Sequence, residues 1–214
     1  EVNPRASRTI PYISKVTGVP MVELATKVMT GTPLKELGFG TGLYKIPPYF
    51  AIKVPVFSFQ KLSDVNSILG PEMKSTGEVL GLGRTMAEAL FKGLTSAGFN
   101  LKLPSGSHKV GALISVGKHD YFEVVTLAKK FYDLGIDIYA TPKTAEAIAH
   151  LGIEANIVEP YSKSRQMTEL LESGKINYVV YTGCEGEAVE DYNRLHQRAI
   201  QLSIACLTSL DTAN

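Results

Sequence analysis

The second half of this chain alternates short apolar runs with amphipathic stretches, and that alternation restricts the fold more than any other feature. Residues 110–116 read as an apolar strand. Residues 120–134 read as a helix with Val124, Leu127, Ala128, Phe131 and Leu134 on one face, closed by Gly135. A strand returns over 136–140. Thr141 then stands at a helix N-cap, Pro142 takes the first helical position, and Gly152 ends the helix. Further strands are expected over 153–158, 176–181 and 202–207. They are separated by helices over about 163–171, ending at Gly174, and over 187–201. Five strands joined by helical crossovers imply an α/β fold with a parallel, doubly wound sheet.

The first hundred residues are less regular. Residues 10–16 suit a short helix ending at Gly18. A second helix over 21–29 is apolar at Met21, Leu24, Ala25 and Val28, with Gly31 as its stop. Pro47-Pro48 forbids helix. Ala51-Ile52-Lys53-Val54 and Val56-Phe57-Ser58-Phe59 read as two extended pieces, followed by a loop through Gly70 to Glu78. Thr85 and Glu88 form a capping box that opens a helix through Leu90, Leu94 and Ala97, stopped by Gly98. Leu103-Pro104-Ser105-Gly106-Ser107 reads as a linker, so domains are expected over 1–103 and 108–214.

Composition removes several classes of function. The 214 residues suffice for one large or two small domains. The net charge of +1, with no basic block, argues against a nucleic-acid partner. No apolar run reaches the roughly 18 residues of a membrane span, and no basic-then-apolar leader is present. Cys184 and Cys206 are too few for a disulfide framework and read as reduced thiols of a cytoplasmic protein. Cys184 follows a strand end, where a nucleophile can sit, but its acidic neighbours argue against a reactive thiolate. His108, His119, His150 and His196 lack metal-ligand spacing. Gly81-Leu82-Gly83 lacks the third glycine of a dinucleotide fingerprint and the βαβ unit around it.

The opening octapeptide, Glu1-Val2-Asn3-Pro4-Arg5-Ala6-Ser7-Arg8, carries chemistry. In an extended segment Glu1 and Asn3 point the same way. A carboxylate and an amide oxygen are hard ligands suited to Mg2+ or Mn2+. Arg5 and Arg8 add forked donors for phosphate or carboxylate. Metal ligands beside anion clamps are what phosphoryl transfer needs. Taken singly, each of these residues also reads as a solvated surface group.

The octapeptide resembles the Glu-Val-Asn-Pro-Arg-x-Ser-Arg motif of ATP-grasp enzymes of the carbamoyl phosphate synthetase kind. Gly70-Pro71-Glu72-Met73-Lys74-Ser75-Thr76-Gly77-Glu78 is similar to a second signature of that family's large subunits, in the family's order. The resemblance covers essentially the whole chain. It implies a C-terminal segment of a large subunit: an α+β remnant of the second ATP-grasp domain, then a methylglyoxal-synthase-like regulatory domain. It implies ATP with Mg2+ or Mn2+ as cofactors, Glu1 and Asn3 as metal ligands with Glu1 also at the nucleotide, and Arg5 and Arg8 as catalytic anion ligands. It further implies, as partners, a small glutamine-amidotransferase subunit and the remainder of the large subunit. The whole enzyme would make carbamoyl phosphate from bicarbonate, ammonia and two ATP, for arginine and pyrimidine biosynthesis. The isolated chain is expected to be inactive.

A small-molecule effector is the other expected partner. In a doubly wound sheet, ligands lie at the carboxyl ends of the strands. The candidates there are Ser115, Thr141, Lys143 and Thr144 beside a helix N-terminus. Thr141 alone also reads as a plain helix cap. In the family a serine and two threonines at these positions help hold the phosphate of a regulatory nucleotide. Other positions depart from that pattern. Tyr121 replaces a lysine, Tyr181-Thr182-Gly183 replaces Asn-Thr-Thr, and Pro160 replaces a lysine for which Lys163 or Arg165 are the nearby substitutes. Glu185, Glu187, Glu190 and Asp191 follow the fourth strand as a group that repels phosphate. For ornithine, Val54 replaces a glutamate, and Cys206-Leu207-Thr208 replaces Tyr-Asp-Thr. Two alternatives remain: an effector-binding module without catalysis, and a methylglyoxal synthase-like enzyme, which the long segment before the linker does not favour.

Overall fold

The computed structural model describes residues 5–59, 71–105, 109–183 and 189–214, with the backbone alone at Val189. They divide into two compact units. One holds the described residues of 1–57 and 75–98, and the other those of 58–74 and 99–214.

In the first unit, α1 (Thr9–Thr17) ends at Gly18, whose φ of 72° lets its N–H turn back to the Ser14 carbonyl. Helix α2 (Met21–Met29) follows. The first expected extended piece lies within the strand β1 (Phe50–Val56), whereas of the second, residues 56–59, only Val56 belongs to it. Its partner is a strand that sequence reasoning missed, β2 (Gly77–Gly83), antiparallel to β1 with Phe50 opposite Gly83 and Val56 opposite Gly77. Three glycines hid it, because glycine is depleted in strands. The reason for Gly81 and Gly83 is the helix α3 (Met86–Ser96) lying on the ribbon. A Cβ at Gly81 would stand 2.0 Å from the Ala89 carbonyl oxygen, and one at Gly93 would stand 2.7 Å from Val54 Cγ2. The capping box is present: the Thr85 hydroxyl accepts from the Glu88 N–H at 3.2 Å. Glu88 accepts the N–H of Arg84 at 2.7 Å, and the Lys92 ammonium, followed by this bond, holds its carboxyl below the usual range.

The second unit is the parallel α/β sheet expected from the alternation. Its strands are β3 (Gly111–Ser115), β4 (Asp137–Ala140), β5 (Asn156–Ile157), β6 (Ile176–Tyr181) and β7 (Ala205–Leu207), in the order β5-β4-β3-β6-β7. All four neighbouring pairs are parallel. The helices are α4 (Tyr121–Asp133), α5 (Pro142–Ala149), α6 (Gln166–Glu172), α7 (Val189–Gln201) and α8 (Leu210–Ala213). Strand period decides the two cores. Ala112, Ile114, Tyr178 and Val180 pack with Val124, Leu127 and Ile148 of α4 and α5. Leu113, Val179 and Tyr181 pack with Met167, Leu171 and Leu195 of α6 and α7. Side chains buried as fully as Leu113 and Ile114 each contribute about 1.5–3 kcal/mol.

Three expected elements are shorter than their apolar runs. The strand over 153–158 is reduced to Asn156–Ile157. The helix over 163–171 starts only at Gln166, because the N–H groups of Lys163 and Ser164 close a turn on the Pro160 carbonyl. The strand over 202–207 starts at Ala205, because Ser203 takes a φ of 56° and its N–H turns back to Ile200.

Candidate functional site

Chain order and sheet order diverge at β3: β4 and β5 continue on one side, β6 and β7 on the other. The carboxyl end of β3 is therefore the switch point, where doubly wound sheets bind ligands. Ser115 is the last residue of β3, and Thr141 follows the last residue of β4. Both are buried, as is Thr144 in the first turn of α5, with 1%, 0% and 0% of their surfaces exposed. The Thr141 hydroxyl lies 3.1 Å from Ser115 Oγ and 3.2 Å from Thr144 Oγ1. Thr144 Oγ1 in turn accepts the N–H of Val116 at 3.1 Å. Three buried hydroxyls thus converge at the ends of two neighbouring strands. Lys143 does not join them in the interior. It stands exposed on the first turn of α5.

Thr141 departs from its expected role. It occupies the N-cap position of α5, with extended φ and ψ, but its hydroxyl makes no capping bond to that helix. It turns to Ser115 and Thr144 instead.

Across the switch point lies a pair that sequence reasoning did not single out. Thr182 Oγ1 accepts the Gly117 N–H at 3.2 Å and donates its proton to the Asp120 carboxylate. The Thr182 N–H also donates to the Ser115 carbonyl at 3.1 Å. The consecutive amides Val116 and Gly117 are thus each satisfied by a threonine hydroxyl, one on the β4 side and one on the β6 side. Asp120 and Thr182 are 62 residues apart, and only the adjacency of β3 and β6 joins them.

The other expected site residues are scattered. Glu1 and Asn3 lie outside the described residues, as do Cys184, Glu185 and Glu187. Arg5 and Arg8 are exposed ahead of α1, and Arg5 Nη1 donates to the Ala6 carbonyl at 3.3 Å. Among the described residues, no three His, Cys, Asp or Glu side chains gather to hold a metal. Lys163 lies 3.9 Å from Glu159, and Arg165 takes the N-cap of α6. Glu190 is paired with Arg194 at 2.7 Å. Asp191 is buried and accepts the Ser162 N–H at 3.2 Å, so it holds the loop before α6 and is not a free rim charge. On the β6 side, Tyr192 stacks on His196, with ring centroids 5.5 Å apart, and meets Tyr181 at a tilt, with centroids 4.9 Å apart. Burial holds the His196 imidazole below its ordinary pKa and pushes the Cys206 thiol up to about 12.

Residues 1–37 match the family model for the carbamoyl-phosphate synthase L chain, ATP binding domain, and residues 123–208 match the MGS-like domain. Over 214 residues the chain is 45% identical to carbamoyl phosphate synthase large chains of Clostridium botulinum (strain Kyoto / Type A2) and Clostridium perfringens (strain 13 / Type A). These matches take in 99% of this chain and 20% of theirs, so the chain spans about a fifth of the length of these relatives. The large chain of Lachnoclostridium phytofermentans is 45% identical over 100% of this chain and 20% of its own. Among solved structures, methylglyoxal synthase from Elizabethkingia anophelis NUHP1 aligns with a TM-score of 0.40 and 18% identity. That alignment covers 52% of this chain and 76% of the other.

Proposed function

We propose, from the chain's place in the carbamoyl phosphate synthase large-chain family, that it serves as one segment of such a subunit and senses a small anionic effector. The observation that carries the reading is the 45% identity along the whole chain, with the ATP binding domain model matched at residues 1–37 ahead of the MGS-like domain at 123–208. The whole subunit would work in the cytoplasm with a glutamine-hydrolysing small subunit and make carbamoyl phosphate from bicarbonate, ammonia and two ATP. The free thiol of Cys206 agrees with a reducing compartment. Among the described residues, no helix is long and apolar enough to cross a membrane.

In this reading the first unit supplies one wall of the carbamate-phosphorylating site. Glu1 and Asn3 offer a carboxylate and an amide oxygen, a donor set that fits Mg2+ or Mn2+. A metal held by Glu1 and Asn3 would supply charge neutralisation for the phosphates of ATP. Arg5 and Arg8, exposed and permanently charged, would orient the carbamate and the phosphoryl group by forked hydrogen bonds. The apolar faces of α1 and α2 suit a part of a larger domain. Neither helix has a buried residue, and Val22 and Met29 remain 62% and 79% exposed. In the second unit, Ser115, Thr141 and Thr144 would hold the anionic group of the effector.

A chimera tests the catalytic half. The Clostridium perfringens large chain, with its corresponding fifth replaced by this chain, is expected to make carbamoyl phosphate. Arg8→Ala in that chimera should lower the rate by about 100-fold or more, the usual cost of removing a charge-stabilising donor. A chimera without activity, or one indifferent to Arg8, overturns the assignment.

A further inference from the structure

Asp120 occupies the N-cap of α4, where an aspartate ordinarily accepts an N–H of the first turn. Here it makes no capping bond, and its carboxylate is turned across the switch point to Thr182. A threonine hydroxyl has a single proton. Thr182 commits that proton to Asp120 while accepting the Gly117 N–H, so it has none to offer an anion. The mouth is therefore two-sided. Hydroxyl groups gather on the β4 side, and a part-buried carboxylate sits on the β6 side, with the adjacent amides of Val116 and Gly117 between them. The residue after Asp120 offers no compensating cation, since Tyr121 packs its ring against the core.

We propose that Asp120 sets the charge selectivity of this site: it favours ligands that join an anionic group to a protonated amine over ligands that are anionic throughout. The anionic group would meet Ser115, Thr141 and Thr144, and the ammonium would meet the free lone pairs of the Asp120 carboxylate. The proposal rests on the reading of the hydroxyl cluster as an anion site.

Titration calorimetry of this chain tests it with phosphoethanolamine, 3-aminopropyl phosphate and the uncharged isostere 2-hydroxyethyl phosphate. At least one amine should bind about tenfold more tightly than the isostere, the scale of one charge contact at a partly buried site. Asp120→Asn should erase that preference and leave isostere binding intact. Thr182→Val, which cuts the bond but keeps the carboxylate, should retain the preference. Thr144→Ala should abolish binding of all three. If Thr144→Ala removes binding but Asp120→Asn keeps the preference, the anion site stands and the role of Asp120 falls. Equal loss of preference in Thr182→Val and Asp120→Asn overturns it too, because geometry and not charge would then be at work. Binding of all three probes unchanged in Thr144→Ala, or no binding of any, overturns both the site and the selectivity. The wild-type comparison of amine against isostere needs no variant. A ratio near one there refutes the proposal even if Asp120→Asn fails to fold.

Discussion

The Thr144 hydroxyl accepts a buried N–H and also faces the hydroxyl of Thr141. Thr144→Val keeps its volume but leaves the Val116 N–H unpaired in the interior. We expect a loss of about 1–3 kcal/mol, read from urea unfolding. An unchanged midpoint would mean that the N–H finds another acceptor. Cys206 makes a simpler case. With its thiol pushed up to about 12 by burial, almost no thiolate exists at neutral pH. In a Cys184→Ser background, the half-buried Cys206 should react with a disulfide reagent at neutral pH at least about tenfold more slowly than an exposed cysteine. Labelling at the rate of an exposed thiol would contradict the raised pKa. Residues of this kind were partly legible in the sequence. Ser115, Thr141 and Thr144 stand where strand ends and cap grammar direct attention. Asp120 and Thr182 gave no such signal, because neither one's neighbours in sequence point to the other.

At the scale of elements, apolar periodicity was a good guide wherever packing is one-sided or fully buried, as in α4 and β6. It failed at β2, where shape and not hydrophobicity decides. Gly81 and Gly83 are strand residues because α3 approaches so closely that a side chain has no room. Gly81→Ala should therefore cost more than the usual glycine-to-alanine change. It should lower the thermal midpoint clearly, by the 1–3 kcal/mol typical of overpacking or more. A neutral substitution would show that α3 can retreat. Helix α7 carries a pH dependence through His196. Its folded-state pKa is depressed by burial, so the unfolded chain takes up the proton first as pH falls below about 6.5. Stability from the neutral ring is present above that pH and is lost as pH drops toward the depressed value. The urea midpoint should fall between pH 7.5 and 5.5, and His196→Gln should flatten that slope. An identical slope in the variant would assign it to other groups.

At the scale of the whole molecule, the chain alone, with ATP, bicarbonate, ammonia and Mg2+, should turn over no ATP, because it spans about a fifth of the length of its relatives and matches the ATP binding domain model over residues 1–37. Measurable turnover abolished by Arg5→Ala would contradict this. The sequence by itself determined the parallel α/β class, the buried run of β3 and most of the apolar face of α4, and it carried the two motifs on which the resemblance rests. Each of these rests on local periodicity or on contiguous motifs, which a linear reading captures. The tertiary structure alone decided the β1–β2 ribbon, the turning of the Thr141 hydroxyl to Ser115 and Thr144 with no capping bond, and the meeting of Asp120 with Thr182. The reason is the same in each case. Strand order, helix approach and side-chain direction are set by packing between segments distant in the chain, and no local pattern records them.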